Sequence, residues 1–162
     1  MPDLVVVEKL QPCLLDRLTD DEPKNPQESR AQRVISIQRY RQGVMRDLQW
    51  LFDASAHLPQ EGGSTINLED YPEASKSVIN FGMRHLFGVV TPNLRELERQ
   101  LTQALYTFEP RILRNSLKVK SRIQGNLVAL DVEGELWANP LPERLHIKTQ
   151  LDLETGHCGL GT

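Results

Sequence analysis

The chain changes its hydrophobic period at one proline, and that change constrains the fold more than any other feature. Before Pro110, the side chains Leu94, Leu97, Leu101, Leu105 and Phe108 recur every three or four residues and fall on one face of a helix. After Arg111 the repeat is two, with Leu117, Val119, Ser121 and Ile123 alternating with Lys118, Lys120 and Arg122. The stretch 91–111 therefore predicts one helix that ends abruptly at Phe108-Glu109-Pro110-Arg111 and runs into a strand. Thr91 is its expected cap, and Pro92 suits the first turn. Glu96 and Glu98 lie near the positive end of the helix dipole. Burying the five apolar side chains contributes roughly 8–15 kcal/mol gross, so most other apolar segments must pack against this stripe.

Pro110 keeps Glu109 out of the helical region. Helix and strand thus meet at two opposite charges, Glu109 and Arg111, separated by one rigid residue. One reading is a solvated exit turn; the other is a carboxylate and guanidinium held in place for the fold or for a partner. The local sequence favours the solvated turn, because surface ion pairs are common and contribute little. On that basis, removing either charge should leave a folded or mildly weakened chain.

Gly125-Asn126 is a two-residue hairpin turn of the kind with glycine first, and it fixes the register of the strands beside it. Val119 should face Val132, Ser121 Leu130 and Ile123 Val128. On the other face, Lys120 should oppose Asp131, Lys118 Glu133 and Ser116 Glu135. Residues 111–122 carry five basic and no acidic side chains. The carboxylates across the hairpin should neutralise much of that stripe, at roughly 0.2–1 kcal/mol per pair, which argues against nucleic acid. A third strand follows Pro140 and Pro142, with Leu145, Ile147, Leu151 and Leu153 on one face and His146, Lys148, Gln150 and Asp152 on the other. The expected fold is α+β, with helices packed on one face of a small antiparallel β-meander. The first and third strands would be its open edges, where another chain could add a strand.

The amino-terminal half divides at a polar linker. Residues 1–18 hold Leu4, Val5, Val6, Val7, Leu10, Leu14, Leu15 and Leu18, and residues 19–29 contain two prolines among polar side chains. The tethered apolar segment either folds back on the core or docks on another protein. The main domain is expected over 30–156, with 157–162 a mobile tail. A long helix over 30–53, capped by Ser29, would bury Val34, Ile37, Tyr40, Val44, Leu48 and Leu51, widened by Met45 and Phe52. Its arginines, Arg30, Arg33, Arg39, Arg41 and Arg46, are interrupted by Asp47 and Asp53. A loop over 54–76 and a short helix from Ser77 to Leu86, stopped by Gly88, complete this half.

The 162 residues suit one domain, and 39% hydrophobic with 25% charged side chains is ordinary for a globular chain. A net charge of −3 and 6% aromatic residues offer no general attraction or stacking platform for nucleic acid. Cys13 and Cys158 form no CxxC motif and read as free thiols. The amino-terminal residues lack a signal-peptide pattern, and no apolar run approaches a membrane span. Those features predict a cytoplasmic protein with no membrane insertion. Gly62-Gly63 lacks the following Lys-Ser/Thr of a phosphate loop. His57, His85, His146 and His157 have no partners at metal-ligand spacing, so no metal or cofactor is expected.

Five stretches together resemble one family: LLDRL at 14–18, VMRDLQWLFD at 44–53, SVINFGM at 77–83, FEPRI at 108–112 and LDLETG at 151–156. In order, they are similar to the type VI secretion baseplate subunit TssE, which is related to a phage-tail baseplate wedge protein. His85 and Phe87 depart from the more polar turn of that pattern. The resemblance implies a non-enzymatic part of a baseplate docked at the inner membrane. Its partners would be other wedge subunits and the first ring of contractile sheath subunits, joined by strand addition. It also implies that Glu109, Pro110 and Arg111 serve sheath assembly. Because the family has been called lysozyme-like, peptidoglycan cleavage is the alternative, with Glu109 as the acid. Arg111 beside it suits that role poorly, and no motif places a second carboxylate, although Glu69 or Asp70 could approach through the loop.

Overall fold

The stripe that dominates the sequence becomes the wall on which the sheet rests. In the computed structural model the described residues are 10, 12–19, 24, 35–54, 70–83, 93–138, 141–152, 154 and 158–161. Among them, helices α1 (Leu14–Leu18), α2 (Ile37–Asp53), α3 (Pro72–Ser75) and α4 (Leu94–Phe108) precede four strands. The strands β1 (Lys118–Gln124), β2 (Leu127–Leu136), β3 (Glu143–Asp152) and β4 (Cys158–Gly161) form one antiparallel sheet in the order β1-β2-β3-β4. The α+β class is as expected. The strand count is not, because the carboxyl end forms β4 instead of a mobile tail. Cys158 explains the difference: its side chain is fully buried, and its strand pairs residue for residue with β3.

Leu97, Leu101 and Leu105 of α4 are buried, and Leu94 and Phe108 pack at the margin of the same core. The helix begins later than expected. Asn93 is the N-cap, its side-chain oxygen accepting from the Glu96 amide, and Thr91 and Pro92 lie outside the described residues. α2 also starts late, with Ser36 as the cap in place of Ser29. Ile35 just before it pairs with Leu10 in an isolated antiparallel bridge, and the side chains of both are buried. Tyr40, Val44, Leu48, Leu51 and Phe52 then bury the predicted stripe. The short helix expected over 77–86 is replaced by a single 3-10 turn, Val78–Asn80, because Phe81 turns extended and Gly82 takes φ 127°. Residues 84–90 lie outside the described residues, as do His57, His85, His157 and Gly62-Gly63.

The hairpin register is the predicted one, including Lys118 opposite Glu133, Lys120 opposite Asp131 and Ser121 opposite Leu130. Gly125 supplies the positive φ, 63°, that a tight turn needs at its first position. Ser116 lies just before β1, but its hydroxyl still accepts from the Glu135 amide at 2.8 Å. One face of the sheet is buried: Val128, Leu130, Val132 and Leu136 of β2, and Leu145, Ile147, Thr149 and Leu151 of β3. The other face is charged. The buried Thr149 hydroxyl is satisfied by the Gly159 carbonyl at 2.7 Å and the Cys158 sulfur at 3.0 Å. Both cysteines are free, and burial pushes the Cys158 thiol up.

Candidate assembly site at the helix–strand corner

Glu109 is the C-cap of α4, with φ −124° and ψ 73°, the extended-side conformation that a following proline imposes. Its amide still bonds Leu105 O at 3.0 Å, so the helix closes fully before it breaks. Pro110 then reverses the chain, and the segment beyond is stitched to the sheet. The Leu113 amide donates to Glu135 O at 2.8 Å and the Trp137 amide to Arg111 O at 2.7 Å. Ile112 forms a bridge with Leu136, and its methyl group would lie 3.1 Å from a Cβ at position 134, which explains Gly134. The corner is thus fixed from both sides.

The side chains follow from that fixation. Glu109 is 2% exposed, so it is not the solvated exit turn favoured by the local sequence. A buried carboxylate needs partners, and Arg111 supplies three donors: its amide, Nε and Nη2. Arg111 Nη2 also reaches Asp47 Oδ2 on α2 at 2.7 Å. Burial alone would disfavour the charge on Arg111. The bonds to Glu109 and Asp47 outweigh it and push the guanidinium pKa up. The network continues outward along α2. Arg46 Nε and Nη2 donate to Asp47 Oδ1 at 3.0 and 2.9 Å, and Nη1 pairs with Asp16 of α1. Asp16 loses some charge preference to burial, but bonds from Cys13 and Arg46 hold its carboxyl below the ordinary value. Glu109, Arg111, Asp47, Arg46 and Asp16 therefore form one chain of charges across α4, α2 and α1.

Glu109, Pro110 and Arg111 stand out in the sequence, whereas Asp47 is there only an interruption in a basic helix face. The available signal is its spacing: Asp47 lies three residues after Val44 and four before Leu51, both buried, so it borders the packing stripe. An open cleft of about 250 Å³ adjoins this cluster. It is lined by Leu15, Asp47, Leu48, Trp50, Leu51, Phe81, Phe108, Glu109 and Arg111. Phe81 and Phe108 meet edge to face, 5.3 Å between centroids, while Leu15 and Trp50 are exposed. The Arg46 guanidinium lies over the Trp50 ring, 5.2 Å from its centroid. The cleft combines an apolar lining with carboxylates already engaged by arginines. Both Glu109 oxygens accept from Arg111, which leaves a substrate little access to a proton donor. Asp70 is exposed and does not line the cleft, and Glu69 lies outside the described residues.

The fold gives His146 neighbours that spacing did not reveal. Ligand atoms of Asp131, Glu133 and His146 lie within 4.8 Å of one another on the charged face of the sheet. A divalent cation could span that distance, yet His146 Nε2 already lies 2.6 Å from Asp131 Oδ1, which satisfies the pair on its own. That bond also corrects the neutralisation expected across the hairpin. Lys118 and Lys120 stand opposite Glu133 and Asp131, but no ion pair forms there among the described residues, and Asp131 pairs with His146 of β3 instead. Register sets which backbones face each other, while long side chains choose among several neighbours.

Among the described residues, the corner is an α+β framework whose charges are engaged in their own ion pairs beside an apolar cleft. The family model described as baseplate wedge protein gp25 matches residues 38–141, and the chain belongs to that family. This agrees with the resemblance to TssE, the gp25-like subunit of type VI secretion systems, and assigns the chain a structural role in a phage-tail-like baseplate. No curated protein and no solved structure matches the chain significantly. Among the described residues, no helix is long and apolar enough to cross a membrane.

Proposed function

We propose that the chain is a structural component of a type VI secretion baseplate, docked on the cytoplasmic side of the inner membrane. It joins the wedge complex to the contractile sheath and promotes sheath assembly, with strand addition at a sheet edge as the means. Glu109, Pro110 and Arg111 hold the surface on which assembly depends. The observation that carries this reading is the fixed corner beside an open apolar cleft in a chain of the baseplate wedge family. The ion pairs keep the corner rigid, and the cleft with exposed Trp50 offers a partner an aromatic anchor. The exposed Leu14 and Leu18 of α1 supply a second apolar contact for a wedge subunit.

The test uses shape-conserving changes, so that folding and assembly separate. Cells carrying Glu109→Gln with Arg111→Lys should contain folded chain, verified by circular dichroism of the purified variant, but no extended sheaths. Normal sheaths in those cells would remove the assembly role from the corner. Purified wild-type chain should not clear peptidoglycan. Clearance abolished by Glu109→Gln would replace the structural reading with the hydrolase one.

A further inference from the structure

We propose that the outer margin of β1 receives the added strand, that this strand carries acidic side chains at every second position, and that Glu98 stands in for it in the free chain. The inference rests on the strand-addition reading above and specifies its edge and its chemistry. Among the described residues the sheet has two outer strands, β1 and β4. The two-residue turn makes Gln124 and Leu127 a hydrogen-bonded pair, so the even-numbered residues of β1 bond β2 and the odd-numbered amides point outward. Val119, Ser121 and Ile123 are therefore the donors an incoming strand would meet.

The middle donor is already engaged. Glu98, on the first turns of α4, accepts from the Ser121 amide at 2.7 Å and from its hydroxyl at 2.8 Å through the same oxygen. That oxygen occupies the position an incoming backbone carbonyl would take. Glu98 can swing away by changing rotamer, but α4 itself also lies against this edge, the Ser121 hydroxyl donating to Leu94 O at 3.5 Å, so a strand enters as the first turn of α4 moves outward. The bonds lost on displacement are replaced by those of the arriving backbone.

The side chains of β1 define what can arrive. Lys118, Lys120 and Arg122 form an exposed row on the outer face, and none forms an ion pair among the described residues. Asp131, the nearest candidate on β2, is bonded to His146. A neighbouring strand with carboxylates at matching positions completes this row, while one with lysines is repelled. A second copy of β1 is disfavoured for the same reason, since antiparallel pairing would set basic residues against basic residues. β4 is the weaker alternative: it has four residues against seven in β1, and Gln49 already donates to its Cys158 carbonyl.

The test uses the full chain and two capped peptides, Glu-Val-Glu-Thr-Glu-Val-Glu and its counterpart with lysine in place of glutamate. Amide NMR shifts on titration should move Val119, Ser121 and Ile123 with the acidic peptide and leave them in place with the basic one. Glu98→Ala should tighten the acidic peptide roughly threefold by freeing the Ser121 donor. Lys118→Glu with Lys120→Glu should weaken it roughly tenfold. Equal binding of the lysine peptide, shifts centred on Cys158–Gly161, or no binding even by Glu98→Ala would overturn the proposal. No sheath protein enters this assay. Acidic-peptide binding at β1, together with normal sheaths in cells carrying the double lysine change, would keep the β1 site and discard its link to the sheath.

Discussion

The helix–strand corner and the outer face of the sheet contain the same kinds of side chain at similarly short spacing, and they behave oppositely. At the corner, Glu109, Arg111 and Asp47 are brought together from two helices and a turn and bonded to one another, with Glu109 buried and the other two partly shielded. On the sheet, Lys118, Lys120, Asp131 and Glu133 face each other in perfect register, yet only Asp131 forms an ion pair among the described residues, and its partner is His146. Proximity alone does not hold charges together. Exposed groups lose little by pointing into solvent, whereas a buried carboxylate must be satisfied or the fold suffers.

Substitutions can break or sharpen that contrast. The largest effect is expected from Arg111→Ala, which strands Glu109 in the interior and should cost about 3–5 kcal/mol of stability. Thermal unfolding would then begin roughly 10 °C lower. This exceeds the mild weakening expected for a solvated turn, and an unchanged melting temperature would refute the buried-pair account. Asp47→Ala should cost about 1–3 kcal/mol, since it removes a shared acceptor of Arg46 and Arg111. Urea midpoints of the two variants and their double mutant should be non-additive, because the side chains are in contact.

The effect of pH is smaller. The folded carboxyl of Asp16 lies below its ordinary value of 3.8, so it contributes stability above that value and loses it as pH falls through the folded value. Asp16→Asn should therefore flatten the acid side of the stability profile, and an unchanged slope would place the acid sensitivity elsewhere. On the sheet face, Lys120→Ala should change stability by no more than about 0.5 kcal/mol. A loss as large as that of Asp47→Ala would show that the two regions do not differ in the way described.

What the sequence revealed follows the same division. Periodicity located α4, the strands and the hairpin register, because each depends on a local repeat and one short turn. The start of α2 is not legible because Ser29 and Ser36 are equally good caps by composition; the bridge of Ile35 to Leu10 sets it at Ser36. The tail strand is not legible because it has four residues and two are glycine; it is held by pairing with β3 and the burial of Cys158. At the corner, Glu109 and Arg111 were found by their proline, but Asp47 is 62 residues away from Glu109 by numbering, and only packing brings it near. Its third place in the cluster is a property of the tertiary fold.

The bridge between Leu10 and Ile35 bears on how the molecule can be dissected. The family pattern spans residues 38–141, but Leu10 and Ile35 before it, and Leu145, Ile147, Leu151 and Cys158 after it, belong to the same buried cluster. A fragment trimmed to the shared pattern would be an unroofed shell, with its oil-like interior laid bare on two sides. The recognisable portion of this protein is therefore smaller than the stretch its buried cluster draws on.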